Sequence, residues 1–169
     1  MKSITRSNIY LALTAMILTA ALALPAAAQK QVPFKGTIQA QETDTVSPPI
    51  LSVLGNGTGI GTLVGQFSLS YELTVTLATG TSTGSAQLTA ANGDIIDATV
   101  VGLGVETGTP GVDSITETYT VTGGTGRFEG AQGSFVVERL LDLATGLTSG
   151  SFHGTITSPG TDHGEADED

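Results

Sequence analysis

The sequence predicts an all-β chain folded as an eight-stranded antiparallel up-and-down β-barrel. Three observations predict it. Strand signals recur at short intervals between Gly, Pro, Asn and Asp residues, no segment carries a convincing helical period, and all 23 glycines lie after residue 28 among threonines and serines. Eight strands without helices suit a sandwich or a closed barrel. Short turns between successive strands favour a meander, and closure removes its exposed edges.

The first element is an address. Lys2 and Arg6 precede an apolar run over residues 9–24, Pro25 breaks it, and Ala26, Ala27 and Ala28 place small residues before a cleavage point. This is the pattern of a secretory signal peptide, residues 1–28. The run is shorter than the roughly 20 residues of a spanning helix. The expected location is therefore secreted or periplasmic, with no stable membrane anchor after cleavage.

The barrel domain is expected over 29–160, with strands at 32–43, 50–62, 66–79, 82–91, 94–104, 112–123, 132–142 and 147–157. The third is the clearest. Phe67, Leu69, Tyr71, Leu73, Val75 and Leu77 alternate with Gln66, Ser68, Ser70, Glu72, Thr74 and Thr76, which gives one buried and one wet face. In the second strand Gly55, Gly57, Gly59 and Gly61 alternate with no following helix or Lys, so they read as close-packing or bulge positions rather than a phosphate loop. Residues 161–169 read as a solvated acidic tail, with five acids in 162–169.

Turns set the register. Asn92-Gly93, read as a two-residue hairpin, opposes Leu88 to Asp97 and turns Asp97 toward the apolar face. A hairpin centred on Phe128 opposes Val121 to Phe135, Tyr119 to Val137 and Glu117 to Arg139. The Thr145-Gly146 turn then sets Phe152 beside Arg139. A register error of two keeps a face, and an error of one reverses it. One largely apolar face thus carries Tyr71, Asp97, Glu117, Tyr119 and Arg139. The interior of an eight-stranded barrel is either packed or holds one small ligand. Two readings follow. Glu117 and Arg139 are a satisfied buried ion pair with the tyrosines as core, or they form a polar patch that orients or protonates a ligand. In the second reading the catalytic candidates are Glu117, Arg139, Tyr119 and Asp97. Tyr71, Leu73, Leu88, Phe135, Val137 and Phe152 would contact the ligand.

Composition excludes several classes. The chain has 169 residues, 16 acids, 6 bases and a formal charge of −10, which disfavours nucleic acid and anionic membranes as partners. It has no Cys, so thiol catalysis, disulfides and Cys-ligated metals are excluded. His153 is expected on the Ser149/Ser151/Thr155 face and His163 in the tail, so no metal site is expected. No G-x-S-x-G elbow is present. Asn56-Gly57-Thr58 matches a glycosylation sequon that is too short to carry weight.

The stretch Gly123-Gly124-Thr125-Gly126-Arg127-Phe128-Glu129-Gly130-Ala131-Gln132-Gly133 resembles the G-G-T-G-x-F-x-x-A-x-G signature of dirigent proteins and the related allene oxide cyclase barrel. It also resembles small secreted bacterial proteins that share this segment. Read physically, its glycines permit positive φ at a bend, and Phe128 plugs a barrel end. The resemblance implies a calycin-like eight-stranded barrel, often trimeric, with an apolar cavity and no cofactor. Plant members steer cyclisation or coupling of reactive hydrophobic intermediates. Their cavity residues lie outside the signature, so none is carried over.

The first expectation is therefore a barrel binding a small hydrophobic molecule. A cofactor-free cyclase or isomerase is the alternative, and a purely structural surface protein is a third. Both faces of the fifth and seventh strands are apolar. With Ile96, Val100, Val136 and Leu140 turned outward, a homo-oligomer is expected, a trimer being favoured by the resemblance.

Overall fold

The computed structural model describes residues 30–157. The expected signal peptide and acidic tail, His163 included, lie outside the described residues. Among those residues eight strands close into one barrel in chain order: β1 (Gln31–Ser47), β2 (Ile50–Gly61), β3 (Gly65–Thr76), β4 (Thr81–Ala90), β5 (Ile95–Glu106), β6 (Val112–Gly124), β7 (Gly133–Asp142) and β8 (Leu147–Thr157). Every neighbouring pair is antiparallel, and β1 closes on β8 from Gln31↔Thr157 to Gln41↔Leu147.

Alternation explains the inside and the outside. On β3, Phe67, Leu69, Tyr71 and Leu73 are buried, while Ser68, Ser70, Glu72 and Thr74 face outward. This apolar-in, polar-out pattern is the inverse of a lipid-spanning barrel, whose apolar band faces out.

Bulk inside is balanced by glycine on the neighbouring strand. Tyr71 pairs with Gly55, Phe67 with Gly59, Glu117 with Gly102, Arg139 with Gly150, Phe135 with Gly154 and Phe152 with Gly36. A methyl group on Gly55 or Gly59 would overlap the Tyr71 or Phe67 ring. The β2 glycines are thus close-packing positions. Alternating small and large residues is how a narrow barrel fills its interior.

The middle of the barrel is filled by aromatic rings. Phe34 meets Phe135 edge-on at 5.1 Å, and Phe152 lies 4.9 Å from Phe34. Tyr119 stacks on Phe135 at 4.9 Å. One end is plugged by a single 3-10 turn, Gly126–Phe128, whose Phe128 is fully buried in the same apolar cluster as Val64 and Ala131. Gly126 opens that turn and Gly130 follows it, both in the left-handed region, as the glycine-rich stretch requires. Arg127 latches the plug. It stacks on Phe128 at 5.0 Å, pairs with Asp94 at 3.2 Å and donates to the Val64 carbonyl at 3.2 Å.

The expected β4–β5 register is corrected. Ala90 pairs with Asp94 around three residues, with Ala90 N donating to Asp94 O at 2.8 Å and Gly93 at φ 89°. Asn-Gly here serves a three-residue loop whose glycine takes the left-handed position, rather than a two-residue turn. The shift of one residue reverses β5. Leu88 pairs with Ile96 and Gln87 with Asp97, so Ile96, Ala98 and Val100 face in. Val101, Leu103 and Val105 face out, 53%, 44% and 51% exposed. They take the place expected for Ile96 and Val100 on the outer surface. Leu140 of β7 is exposed as expected, and Val136 is half-buried.

Candidate functional site

The end opposite the Phe128 plug is the barrel mouth, ringed by the β1–β2, β3–β4, β5–β6 and β7–β8 turns. Its deepest feature is Arg139, carried inward by β7. Arg139 Nε donates to Glu117 Oε2 at 3.1 Å and Nη2 donates to Glu117 Oε1 at 2.8 Å, a two-pronged clasp. Nη1 donates to Glu42 Oε1 at 2.6 Å and to Thr148 Oγ1 at 3.1 Å. Tyr71 Oη donates to the same Glu42 oxygen at 2.7 Å, and Tyr119 Oη donates to Glu117 Oε2 at 3.4 Å. The guanidinium carbon sits 5.4 Å over the Tyr71 ring. All three charged side chains are at most 2% exposed.

Electrostatics follow from this packing. Burial disfavours the charge on Arg139, but the hydrogen bonds and charge of Glu117 more than offset it and hold the guanidinium protonated. Burial pushes the Tyr71 phenol far above its ordinary value; Arg139 opposes the shift and Glu42 adds to it. Tyr119 is pushed up by burial and then by the Glu117 charge. Both phenols are therefore donors, fixed toward carboxylates.

The structure brings Glu117, Arg139, Tyr119 and Tyr71 together. Glu117 and Arg139 are not directly opposed: Glu117 pairs with Val137 and Arg139 with Ile115. The register differs by two from the expected one, so the face is kept and the pair meets diagonally. Leu73 lines the mouth. Leu88, Phe135, Val137 and Phe152 are buried deeper, in the packed core. Phe152 pairs with Val137 rather than Arg139, which faces Gly150, so the β7–β8 register also differs by two from the expected one and keeps the face. Asp97 is corrected. It lies on the outer surface, accepting a hydrogen bond from Gln87 Nε2 at 2.9 Å. It therefore takes no part in the interior cluster. His153 is exposed on the outside of β8.

Glu42 is the residue that sequence reasoning missed. It follows Phe34, Ile38 and Ala40 in the inward phase of β1, and that period was the signal available. Ser82 and Thr148 are buried for the same reason, and Asp44 and Asp113 fall in the inward phase of β1 and β6 at the rim of the mouth.

Above the cluster lies a cavity of about 200 Å³. Its walls are Leu51, Val53, Leu73, Val75, Leu77 and Leu141, and its polar lining is Glu42, Asp44, Ser82, Asp113, Glu117 and Arg139. A larger outer groove of about 610 Å³ is open, formed by residues such as Thr37, Gln39, Thr58 and Gln66, and contains no ionisable side chain. The mouth, with apolar walls over a fixed polar floor, has the build of a small-molecule site.

Comparison of the chain with protein-family models, with curated proteins and with solved structures finds no match.

Proposed function

We propose that this chain is a secreted or periplasmic barrel that binds a small, mainly apolar molecule at its mouth. The observation that carries this reading is the cavity of about 200 Å³, walled by aliphatic side chains over the Glu42–Arg139–Glu117 floor. A dry apolar cavity of about 150 Å³ is enough to hold benzene. The occupant is therefore ring-sized rather than a long chain, because aromatic rings fill the barrel below it. Burying roughly 200 Å² of such a molecule contributes about 5 kcal/mol before the costs of association. Apolar contact alone therefore supports binding no tighter than about 0.2 mM.

Binding is favoured over catalysis by the same geometry. Both Glu117 oxygens are engaged by Arg139, and Tyr119 occupies Glu117 Oε2 as well. Neither Glu117 oxygen is therefore free of a protein partner to face an occupant. The likeness of the glycine-rich stretch to dirigent and allene oxide cyclase proteins agrees with a ligand-holding barrel and keeps a cofactor-free isomerase as the second reading.

Native mass spectrometry of the protein purified from its source, followed by solvent extraction, tests the proposal. A bound apolar compound is expected, and Leu73→Trp, which fills the cavity, is expected to abolish it. Protein that is consistently empty and takes up no ring-sized probe overturns the reading.

A further inference from the structure

The mouth is unbalanced in charge and in hydrogen bonding. Four carboxylates, Glu42, Asp44, Asp113 and Glu117, face one guanidinium. Arg139 directs its hydrogen bonds at Glu117, Glu42 and Thr148, and little donor capacity is left for an occupant. Acceptors remain. Glu42 Oε1 takes both the Arg139 and Tyr71 hydrogen bonds, and Oε2 takes none among the described residues. Ser82 is 5% exposed and lines the cavity, and its hydroxyl has no hydrogen-bond partner among the described residues. No fully enclosed side-chain nitrogen or oxygen among those residues lacks a partner, so these two oxygens open onto the cavity. An unpartnered hydroxyl on a nearly buried residue and an open carboxylate oxygen, both lining the cavity, offer acceptors to an occupant's donors.

We infer that the mouth selects a small organic cation: a primary ammonium group on an apolar, ring-sized body. The ammonium offers three donors and no acceptor. Glu42 Oε2, Ser82 Oγ and the rim carboxylates of Asp44 and Asp113 supply the complementary acceptors and the charge. The aliphatic walls supply the contact for the body, which a bare metal ion would leave unused. An anionic ligand would face the same carboxylates and be repelled. The inference rests on the reading of the mouth as a binding site and adds the chemical class of its occupant.

Titration of the purified barrel with three matched probes, benzylamine, benzyl alcohol and benzoate, at neutral pH and 150 mM salt tests it, with calcium chloride as the bare-charge arm. Calorimetry or NMR shifts report affinity. Benzylamine is expected to bind about tenfold tighter than benzyl alcohol, since charge-assisted hydrogen bonds are roughly twice as strong as neutral ones. Benzoate is expected not to bind. Glu42→Gln should remove the preference. Because that variant disturbs a buried network, Asp44→Asn/Asp113→Asn on the rim is the second test: it should cut the preference of amine over alcohol several-fold. Equal binding of amine and alcohol by the parent, or a preference that the rim variant leaves undiminished, overturns the inference and leaves the apolar binding site standing. Calcium binding at the same residues as tightly as benzylamine overturns it too. Failure of all three organic probes removes the binding site itself.

Discussion

Replacing Arg139 with Met is the sharpest test of what holds the barrel mouth together. The two carboxylates it serves are at most 2% exposed, which removes them from the class of surface pairs contributing up to about 1 kcal/mol. Taking away one member of a buried pair costs about 3–5 kcal/mol, because the remaining charge stays desolvated. Here two carboxylates are stranded by one substitution. For a domain of this size the loss corresponds to a fall in Tm of about 10–25 °C. The chain has no Trp, so urea unfolding is followed by far-UV circular dichroism and tyrosine fluorescence. A control separates charge from shape: Arg139→Met combined with Glu42→Gln and Glu117→Gln keeps the side-chain volumes and removes the charges, and should recover most of the loss. An Arg139→Met protein within about 1 kcal/mol of the parent at neutral pH would refute the reasoning.

Three further outcomes are expected. Gly55→Ala should cost about 1–3 kcal/mol in urea unfolding, since the added methyl overlaps the Tyr71 ring and forces an overpacked core to shift; an unchanged midpoint would mean the ring moves freely. Tyr71 and Tyr119 are raised above the ordinary phenol value of 10.0, mainly by burial, so their stabilising effect is complete below that value and is lost as pH rises beyond it; absorbance titration should show their phenolates only together with unfolding, and smooth titration in folded protein would contradict the burial. Sedimentation equilibrium at tens of micromolar should find a homo-oligomer that Leu103→Ser/Val105→Ser on the exposed β5 stripe dissociates, whereas a monomer would leave that stripe merely exposed.

Much of this architecture was legible because period-2 alternation is written residue by residue, as in β3, and because Gly-bounded turns mark strand ends. Register was less legible, because it depends on turn geometry that one dipeptide does not determine. Asn92-Gly93 fits both a two-residue and a three-residue loop, and the difference of one residue moved Asp97 to the outer surface. The β6–β7 connection was off by two, which left Glu117, Tyr119 and Arg139 inside. The core of the site was therefore found from residues that tolerate even errors. Glu42 escaped because attention fell on apolar alternation, and a carboxylate in phase with Phe34, Ile38 and Ala40 reads as a defect until its partner, 97 positions away, is known.

That separation bears on how the chain reaches its folded state. Seven of the eight strand pairings join sequence neighbours and can form as local hairpins. The eighth, β1 with β8, must wait for nearly the whole described chain, and pairings so far apart in sequence form slowly. Until that seam closes, both end strands offer unpaired backbone, and Glu42 and Arg139 have not been brought together across it. Residues 31–35 of β1 have β8 as their only ladder partner, and Pro33 and Lys35 there are the residue types that discourage stray edge pairing. A second chain presenting its own β7–β8 hairpin would satisfy β1 with the same hydrogen bonds and the same Glu42–Arg139 ion pair. Chain concentration during refolding therefore sets the division between self-closed barrels and strand-exchanged ones.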